Sequence, residues 1–204
     1  MGKCYIVGAG DFCGGINPKD GDIVIAADGG YDSLVSRGIT PDVLIGDLDS
    51  IHGVPHGIET HRFPVRKDDT DMFIAYREGR ARGYRDFEIH GGTGGREDHT
   101  FANYALLLTM RRAGDAGVLV SDASRTYVLL NEERKFRGAA GTHISVFAFG
   151  GTAHGVTIRG AEYGAENIDM TPDYPLGVSN VMKDGDMTVS VRGGALLVIQ
   201  RLFD

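Results

Sequence analysis

Two groups of aspartates in the first part of the chain are the residues best suited to do chemistry. They are Asp42-Val-Leu-Ile-Gly-Asp47-Leu-Asp49-Ser50 and Lys67-Asp-Asp-Thr-Asp71. Carboxylates packed this closely repel one another, so folding them together costs free energy unless a cation lies among them. Mg²⁺ takes oxygen ligands and is commonly shared with substrate phosphates. The pattern predicts a magnesium–phosphate site, with a solvated acidic loop as the alternative.

A further aspartate follows a separate apolar run, in Ala26-Ala-Asp28-Gly-Gly30. Aspartate is a common N-cap residue, so Asp28 could begin a helix after a tight turn. It could also add a carboxylate to the acidic site. The two roles are compatible, and both stay open at this point.

A glycine-rich loop, Gly91-Gly-Thr-Gly-Gly95-Arg96-Glu-Asp98-His99, is typical of an anion site. Backbone N–H groups at a helix N-terminus bind anions, and Arg96 adds a charged fork for phosphate oxygens. Asp98 could cap the following helix, and His99 titrates near neutrality. A loop that only caps the helix is the alternative interpretation.

A second glycine turn, Gly8-Ala-Gly10, departs from the dinucleotide fingerprint because Cys13 stands at the third glycine position. We expect it to approach a phosphate or a neighbouring loop. No Gly-Lys-Ser/Thr follows any glycine run, so any use of ATP proceeds without a P-loop.

The aspartates and the glycine-rich turns follow short apolar runs, and these runs must form the elements that position them. The runs Cys4–Val7, Ile23–Ala27, Val43–Ile45 and Phe87–Ile89 predict buried strands. They alternate with predicted helices at Tyr31–Arg37, Thr70–Arg82 and Asp98–Arg112. The last helix has Phe101, Ala105, Leu108 and Arg112 spaced for one face, which Ala102, Leu106 and Met110 broaden. Alternating strands and helices indicate a doubly wound, mainly parallel α/β sheet, whose ligands bind at the carboxyl ends of the strands.

The pattern changes near residue 115. Glycine-punctuated β-rich runs follow, at Val118–Ser121, Thr126–Leu130, Ile144–Phe149, Thr188–Val191 and Leu196–Arg201. They predict an antiparallel β-sandwich or barrel. We therefore expect an α/β nucleotide- and metal-binding domain over 1–115 and a β-sandwich domain over 116–204.

The bulk composition argues against several classes of protein. The chain has 204 residues, 42% of them hydrophobic, and a net charge of −7, whereas nucleic-acid binders usually carry a basic face. No apolar run approaches the ~20 residues of a spanning helix, and no signal-peptide layout is visible. Cys4 and Cys13 are too few for a disulfide framework. We expect a cytoplasmic protein without a nucleic-acid or membrane partner.

Five segments, taken in order, resemble the thiamine pyrophosphokinase family. They are Asp28-Gly-Gly30; Gly38-Ile-Thr-Pro-Asp42 with Ile45-Gly-Asp47-Leu-Asp49-Ser50; Lys67-Asp-Asp-Thr-Asp71; Gly91–Asp98 with Asn103; and Gly177-Val-Ser179-Asn180. The resemblance covers most of the chain. The chain departs from the family pattern in two ways. Val181 stands where the family usually has Glu, and the chain has no tryptophan, on which some members stack the thiamine ring.

The resemblance implies a fold, an activity and an assembly. The fold is an N-terminal α/β domain with a C-terminal β-sandwich that binds thiamine and dimerises. The activity is Mg²⁺-dependent transfer of a diphosphoryl group from ATP to thiamine, with AMP leaving. The assembly is a homodimer with active sites at the subunit interface.

Site residues are predicted on this basis. The metal ligands are Asp28, Asp47, Asp49 and Asp71; the nucleotide-binding residues are Asp28, Gly29, Gly94, Gly95 and Arg96; the catalytic residues are Asp71, Asp49 and Arg96; and the thiamine-binding residues are Asp98, Ser179 and Asn180.

Two alternatives of different class remain. One is a diphosphotransferase that acts on another small alcohol, such as a pterin. The other is a non-catalytic nucleotide-binding regulator, in which the acidic cluster is structural.

Overall fold

The structure is a computed structural model that describes residues 2–12, 15–48, 57–63 and 68–202. Contacts divide the chain into two compact units. The first contains Met1–Leu106 and Gly114–Asp122, and the second contains Leu107–Ala113 and Ala123–Asp204. The predicted domain boundary between residues 115 and 116 stays a prediction.

Parallel strands form the sheet of the first unit. In chain order they are β1 (Cys4–Val7), β2 (Ile23–Ala27), β3 (Val43–Gly46), β4 (Glu59–Arg62), β5 (Asp86–His90) and β6 (Ala116–Val120). Their spatial order is β4-β3-β2-β1-β5-β6, and every pair is parallel. Strands β1, β2 and β3 are buried along their whole length, which explains their continuous apolar sequence.

Two strands of this sheet differ from the sequence-based expectation. The sequence does not predict strand β4, because Glu59-Thr-His-Arg62 is polar and sits at the sheet edge, where little of it is covered. The sequence pattern groups β6 with the C-terminal strands, yet β6 pairs in parallel with β5. An apolar run has the same sequence pattern in a parallel and in an antiparallel sheet. Only the strand with which it pairs shows the sheet to which it belongs.

The direction in which successive strands are added to the sheet reverses between β1 and β5, although all of these strands are parallel. From β1 the chain continues to β2 on one side, whereas β5 is followed in the sheet by β6 on the other. Loops that leave the carboxyl ends of such neighbouring strands diverge and leave a crevice between them. The loops concerned are the two glycine-rich segments, after Val7 and after His90.

Three helices complete the described part of the first unit and its boundary: α1 (Gly30–Val35), α2 (Asp71–Ala81) and α3 (Glu97–Arg112). Thr70 is the N-cap of α2, because its hydroxyl accepts a hydrogen bond from the Phe73 N–H at 3.2 Å. None of these helices is both long and apolar enough to cross a membrane, and this finding covers the described residues only.

The buried face of α3 agrees only in part with the predicted one. Of the predicted residues, Leu106, Leu108 and Met110 are buried, whereas Phe101, Ala105 and Arg112 are exposed. Asn103 and Leu107 are buried as well, and together with Leu106 and Met110 they follow the i, i+3, i+4, i+7 spacing of a helix face. The prediction left out Asn103 because a polar residue gives no apolar signal.

Eight antiparallel strands form two sheets in the second unit. They are β7 (Ser124–Leu130), β8 (Glu133–Arg137), β9 (His143–Ala148), β10 (Ala153–Arg159), β11 (Ala165–Met170), β12 (Gly177–Val181), β13 (Asp186–Ser190) and β14 (Ala195–Arg201). One sheet has the order β12-β9-β14-β7 and the other β11-β10-β13-β8. The predicted fold class, a mainly parallel α/β sheet followed by antiparallel β structure in two layers, is confirmed.

Candidate active site

Two glycine loops interlock at the carboxyl ends of β1 and β5. The N–H groups of Gly8 and Gly10 donate to the carbonyl oxygens of His90 and Gly91, each at 2.8 Å. A Cβ on Gly10 would lie 2.3 Å from the Thr93 oxygen, and one on Gly91 would lie 2.2 Å from the Gly8 oxygen. The contact between the loops therefore requires glycine at both positions. The neighbouring loop that the Gly8–Gly10 turn approaches is thus the one after β5.

A cavity of about 290 Å³ opens beside these loops. Gly94, Gly95 and Arg96 line it, as do Gly10 and His99. Helix α3 begins at Glu97, so the cavity lies at a helix N-terminus, where the partial positive charge of the backbone favours anions. This placement is suitable for binding phosphate.

The side chain of Asn103 supports the glycine-rich loop after β5. Its side chain is buried, and its Nδ2 donates to the Gly92 carbonyl oxygen at 2.7 Å. A Cβ on Gly92 would lie 3.1 Å from the same Nδ2, so the two residues are in close contact. This hydrogen bond links the first turns of α3 to the loop and holds the loop in position.

Asp28 and Asp71 share a smaller cavity of about 140 Å³. Asp28 directly follows β2 with a left-handed backbone (φ +49°), and its N–H donates to the Ile45 carbonyl oxygen at 2.7 Å. Asp71 is the first residue of α2. The walls of the two cavities have four residues in common, Ala9, Met72, His99 and Asn103. The two aspartates and the glycine-rich loop after β5 are therefore adjacent.

Asp47 follows β3 beside the same site. Gly46, which precedes it, packs on Asp28, because a Cβ on Gly46 would lie 3.1 Å from the Asp28 Cα. Asp49 lies outside the described residues. Gly29, not Asp28, is the N-cap of α1, and no side chain caps that helix.

Arg96 and Asp98 form a two-point ion pair at the mouth of the larger cavity. The distances are 3.1 Å from Nε to Oδ1 and 2.5 Å from Nη2 to Oδ2. The pair lowers the pKa of Asp98 and raises the pKa of Arg96. Asp98 is the second residue of α3 rather than its cap, and both side chains are largely exposed. To bind a phosphate, the Arg96 guanidinium would have to release the Asp98 carboxylate.

A charged cluster lies under the glycine loops. His90 is buried, and its Nε2 is 2.9 Å from Glu88 Oε1, while Lys3 Nζ is 2.8 Å from Glu88 Oε2. The His90 hydrogen bond, together with Lys3, lowers the pKa of Glu88 to about 2. The Phe12 ring packs edge-on against the imidazole, with centroids 5.5 Å apart. This cluster stabilises the carboxyl end of β5, which directly precedes Gly91.

Another group of metal-ligating types is Glu59, His61 and Glu78, whose donor atoms lie within 4.8 Å of one another. Arg82 forms ion pairs with both glutamates, at 2.7 Å to Glu78. The guanidinium offsets one of their two negative charges and bonds oxygens of both carboxylates, so the group forms a surface ion-pair network.

In the second unit, a β-bulge exposes Ser179 and buries Asn180. The register of β12 against β9 shifts between Gly177 and Asn180, and Ser179 has φ +55°. Val178 and Ser179 are consequently both exposed, whereas Asn180 is 3% exposed. Bulges commonly re-aim side chains near functional sites. Ser179 is thus accessible to a ligand.

Comparison with known families decides the classification. Residues 18–118 match the family model described as thiamin pyrophosphokinase, catalytic domain, and residues 128–196 match thiamin pyrophosphokinase, vitamin B1 binding domain. Together the two matches cover most of the chain. The chain belongs to the thiamine pyrophosphokinase family. Thiamine pyrophosphokinase from Bacillus subtilis (strain 168) is 28% identical over 189 residues, which is 86% of each chain.

Solved thiamine pyrophosphokinase structures have the same fold. The crystal structure of the B. subtilis enzyme has a TM-score of 0.88 at 24% identity, covering 98% of this chain and 99% of that one. The Geobacillus thermodenitrificans structure gives 0.82 at 24% identity, covering 99% and 98%. The Candida albicans structure gives 0.74 at 14% identity, covering 99% and 89%.

The structure of this family member brings together some of the predicted residues. Asp28, Asp71, Gly94, Gly95 and Arg96 line adjoining cavities, and Gly29 packs near them, since its Cβ would lie 3.1 Å from the Ala9 Cβ. Asp98 contacts Arg96, and Ser179 and Asn180 lie in the second unit. Sequence reasoning did not single out Ala9 or Met72, because a small residue and an apolar residue carry no chemical signal.

Proposed function

We propose that the protein transfers the diphosphoryl group of ATP to the hydroxyl group of thiamine, giving thiamine diphosphate and AMP. The observation that carries the proposal is the cavity in which Asp28 and Asp71 adjoin the interlocked glycine loops. The vitamin B1 binding domain match in the same chain supports thiamine as the acceptor. The name of the B. subtilis relative agrees with this substrate.

Mg²⁺ is part of the proposal, and the donor set suits it. Asp28 and Asp71 offer hard carboxylate oxygens in one small cavity, and Asp47 follows the residue that packs on Asp28. We infer that these three residues and Asp49 would hold the ion. When bound, Mg²⁺ would neutralise charge on the triphosphate oxygens.

The protein's own groups would position the reactants. The glycine loop and the α3 N-terminus would bind phosphate oxygens, and Arg96 would add a charge-assisted donor after releasing Asp98. These donors would stabilise the negative charge that spreads over the phosphate oxygens during transfer. We assign to Asp71 the proton of the attacking thiamine hydroxyl, because its carboxylate lines the cavity next to the phosphate loop.

Thiamine would contact Asp98 and Ser179, both of which are exposed. The resemblance in the sequence also implies a homodimer with shared active sites, and the low cysteine content favours a cytoplasmic protein. Both remain part of the proposal.

The deciding experiment incubates the purified protein with Mg²⁺, thiamine and ATP and quantifies thiamine diphosphate, AMP and ADP. We expect equal amounts of thiamine diphosphate and AMP. Formation of ADP would refute diphosphoryl transfer, and product from a pterin alcohol but not from thiamine would favour the other acceptor class. ATP binding without turnover of any acceptor would favour the regulator.

Asp28→Asn is the informative variant in this assay, because asparagine also tolerates the left-handed backbone at residue 28. It should lose turnover and keep its fold. Asp20→Asn, in an exposed turn of the same unit, is the matched control for loss of one negative charge. Equal loss in both variants would contradict a specific role for Asp28.

A further inference from the structure

A basic cavity of about 470 Å³ lies in the second unit, lined by residues of β7, β8 and β14. Its cationic lining residues are Arg125, Arg134, Lys135 and Arg137. The volume falls in the range of small-molecule sites, roughly 300–1,000 Å³. The chain as a whole has a net charge of −7, so this local concentration of positive charge indicates a site for an anion.

Arg134 lies on the apolar face of its strand. Side chains alternate across a strand, so Arg134 shares a face of β8 with Phe136, which is 3% exposed. Its partner on β13 is Val189, which is buried. An arginine in this place keeps its charged end in water by extending along the apolar surface. The Arg134 guanidinium is thereby directed to the cavity at the margin of the core.

Two aromatic rings hold this guanidinium in place. The Arg134 Cζ lies 4.0 Å from the centroid of the Tyr127 ring and 5.5 Å from that of Phe136. The two rings pack edge to face, with centroids 5.6 Å apart. A guanidinium over an aromatic face keeps the N–H donors around its edge available, and it loses little freedom when it binds an anion.

One carboxylate offsets part of the positive charge. Asp186 Oδ2 lies 2.7 Å from Lys135 Nζ, and Asp186 Oδ1 lies 4.0 Å from Arg137 Nε. Within the part of the chain that the structure describes, no carboxylate forms an ion pair with Arg125 or Arg134. These two arginines are therefore the cations best able to bind a ligand.

A buried amide joins the walls of the cavity. Gln200 lines the cavity and is 9% exposed, and its Nε2 donates to the Arg137 carbonyl oxygen at 2.7 Å. This hydrogen bond links β14 to β8 across the two sheets. Arg125 pairs directly with Gln200 in the register of β7 against β14. The strands that carry Arg125 and Arg134 are thus held together before any ligand binds.

We propose that this cavity binds the oligophosphate chain of a small molecule, with Arg125 and Arg134 as its main ligands. Guanidinium groups donate paired hydrogen bonds to phosphate oxygens. Several converging cations suit a ligand with several adjacent charges better than a single phosphate. Glu133 and Asp186 lie beside the cationic residues of β8, and their charges disfavour an extended polyanion such as a nucleic acid.

This site is separate from the candidate active site. The glycine-rich loop after β5 and Arg96 belong to the first unit, whereas the lining residues of the basic cavity belong to the second. The inference therefore does not depend on the proposed function, and its test does not measure turnover.

The test is isothermal titration of the full chain with inorganic tripolyphosphate in the absence of Mg²⁺. Arg134→Gln and Arg125→Gln should each weaken binding about tenfold, the order expected for losing one charge-assisted hydrogen bond. Arg112→Gln is the matched control, because Arg112 is an exposed arginine of the second unit that does not line the cavity. Unchanged affinity in both cavity variants, or an equal decrease in Arg112→Gln, would overturn the proposal.

Arg96→Ala separates this binding from binding at the glycine-rich loop. The Arg96→Ala chain should retain the binding that Arg134→Gln and Arg125→Gln weaken. If Arg96→Ala abolishes all binding of tripolyphosphate, the ligand occupies the first unit and the proposal fails.

A series of ligands titrated into the Arg96→Ala chain tests the chemical class. Affinity should rise from phosphate through diphosphate to tripolyphosphate and fall with added salt. A free oligophosphate and the phosphate chain of a nucleotide share this chemistry, and comparing ATP with tripolyphosphate distinguishes the two sources. Tighter binding of citrate or of a short single-stranded oligodeoxynucleotide than of tripolyphosphate would overturn the assignment to an oligophosphate.

The competing role for these cations is protection of an exposed strand edge. Strand β8 lies at the edge of its sheet, and charged side chains there discourage pairing with another chain. Light scattering on Arg134→Gln distinguishes this role. Aggregation of Arg134→Gln together with wild-type affinity for tripolyphosphate would assign the cations to edge protection and overturn the proposal.

Discussion

We expect the charged cluster under the glycine loops to make a measurable contribution to the free energy of unfolding. Glu88 accepts from His90 and Lys3, and its pKa falls from 4.5 to about 2. A tenfold change in a proton dissociation constant corresponds to about 1.4 kcal/mol, so the whole decrease in the Glu88 pKa would give about 3 kcal/mol. Lys3 is partly exposed, so screening by solvent reduces the expected contribution to about 2 kcal/mol.

The pH at which this contribution appears follows from the direction in which the Glu88 pKa moves. A carboxyl with a depressed pKa binds its proton more weakly in the folded state. Its stabilisation is therefore complete above the unfolded pKa of 4.5 and is lost as the pH falls toward 2. Glu88→Gln should remove this part of the pH dependence, and wild type should lose about 1–2 kcal/mol more than the variant between pH 5 and pH 3.

The assay is urea denaturation at several pH values between 3 and 7. At pH 7, Glu88→Gln should be less stable than wild type by about 2 kcal/mol, and the two curves should converge as the pH falls. Glu133→Gln, an exposed strand glutamate, is the control and should follow the wild-type curve. Parallel curves for wild type and Glu88→Gln over the acid range would refute the cluster's role.

The remaining predictions concern the candidate site and the assembly. Arg96→Ala should lower kcat/KM about 100-fold, the order expected for losing one charged stabilising donor; an unchanged value would show that the side chain only faces solvent. Gly10→Ala should lower the unfolding free energy by about 1–3 kcal/mol in urea denaturation, because its Cβ would lie 2.3 Å from a backbone oxygen, whereas Gly15→Ala meets nothing within 4 Å and should be neutral. If the protein is a homodimer with shared sites, mixing an Asp71→Asn chain with one disrupted at 179–180 should restore about one quarter of wild-type activity, since half of the dimers are mixed and each has one intact site. Verified mixed dimers that stay inactive, or a monomer by light scattering, would exclude this assembly.

The local signals in the sequence were reliable where a residue's own neighbours determine its structure. Strands β1 and β2 begin and end at the predicted residues, because continuous apolar runs bounded by glycine or polar residues are typical of buried parallel strands. The aspartates and glycines after these strands could be predicted at the sheet edge for the same reason. Their chemistry is in the residue types, so the glycine-rich loop and the aspartates could be singled out as candidates without coordinates.

The tertiary structure decided everything that depends on a distant partner. Asn103 is buried on α3 because its amide bonds Gly92, and Asn180 turns inward because it holds the backbone of Tyr163, 17 residues away. Strand β6 belongs to the parallel sheet because it pairs with β5. Periodicity and composition report what one segment prefers, whereas hydrogen bonds between segments depend on which residues the fold brings together, and that information is not local.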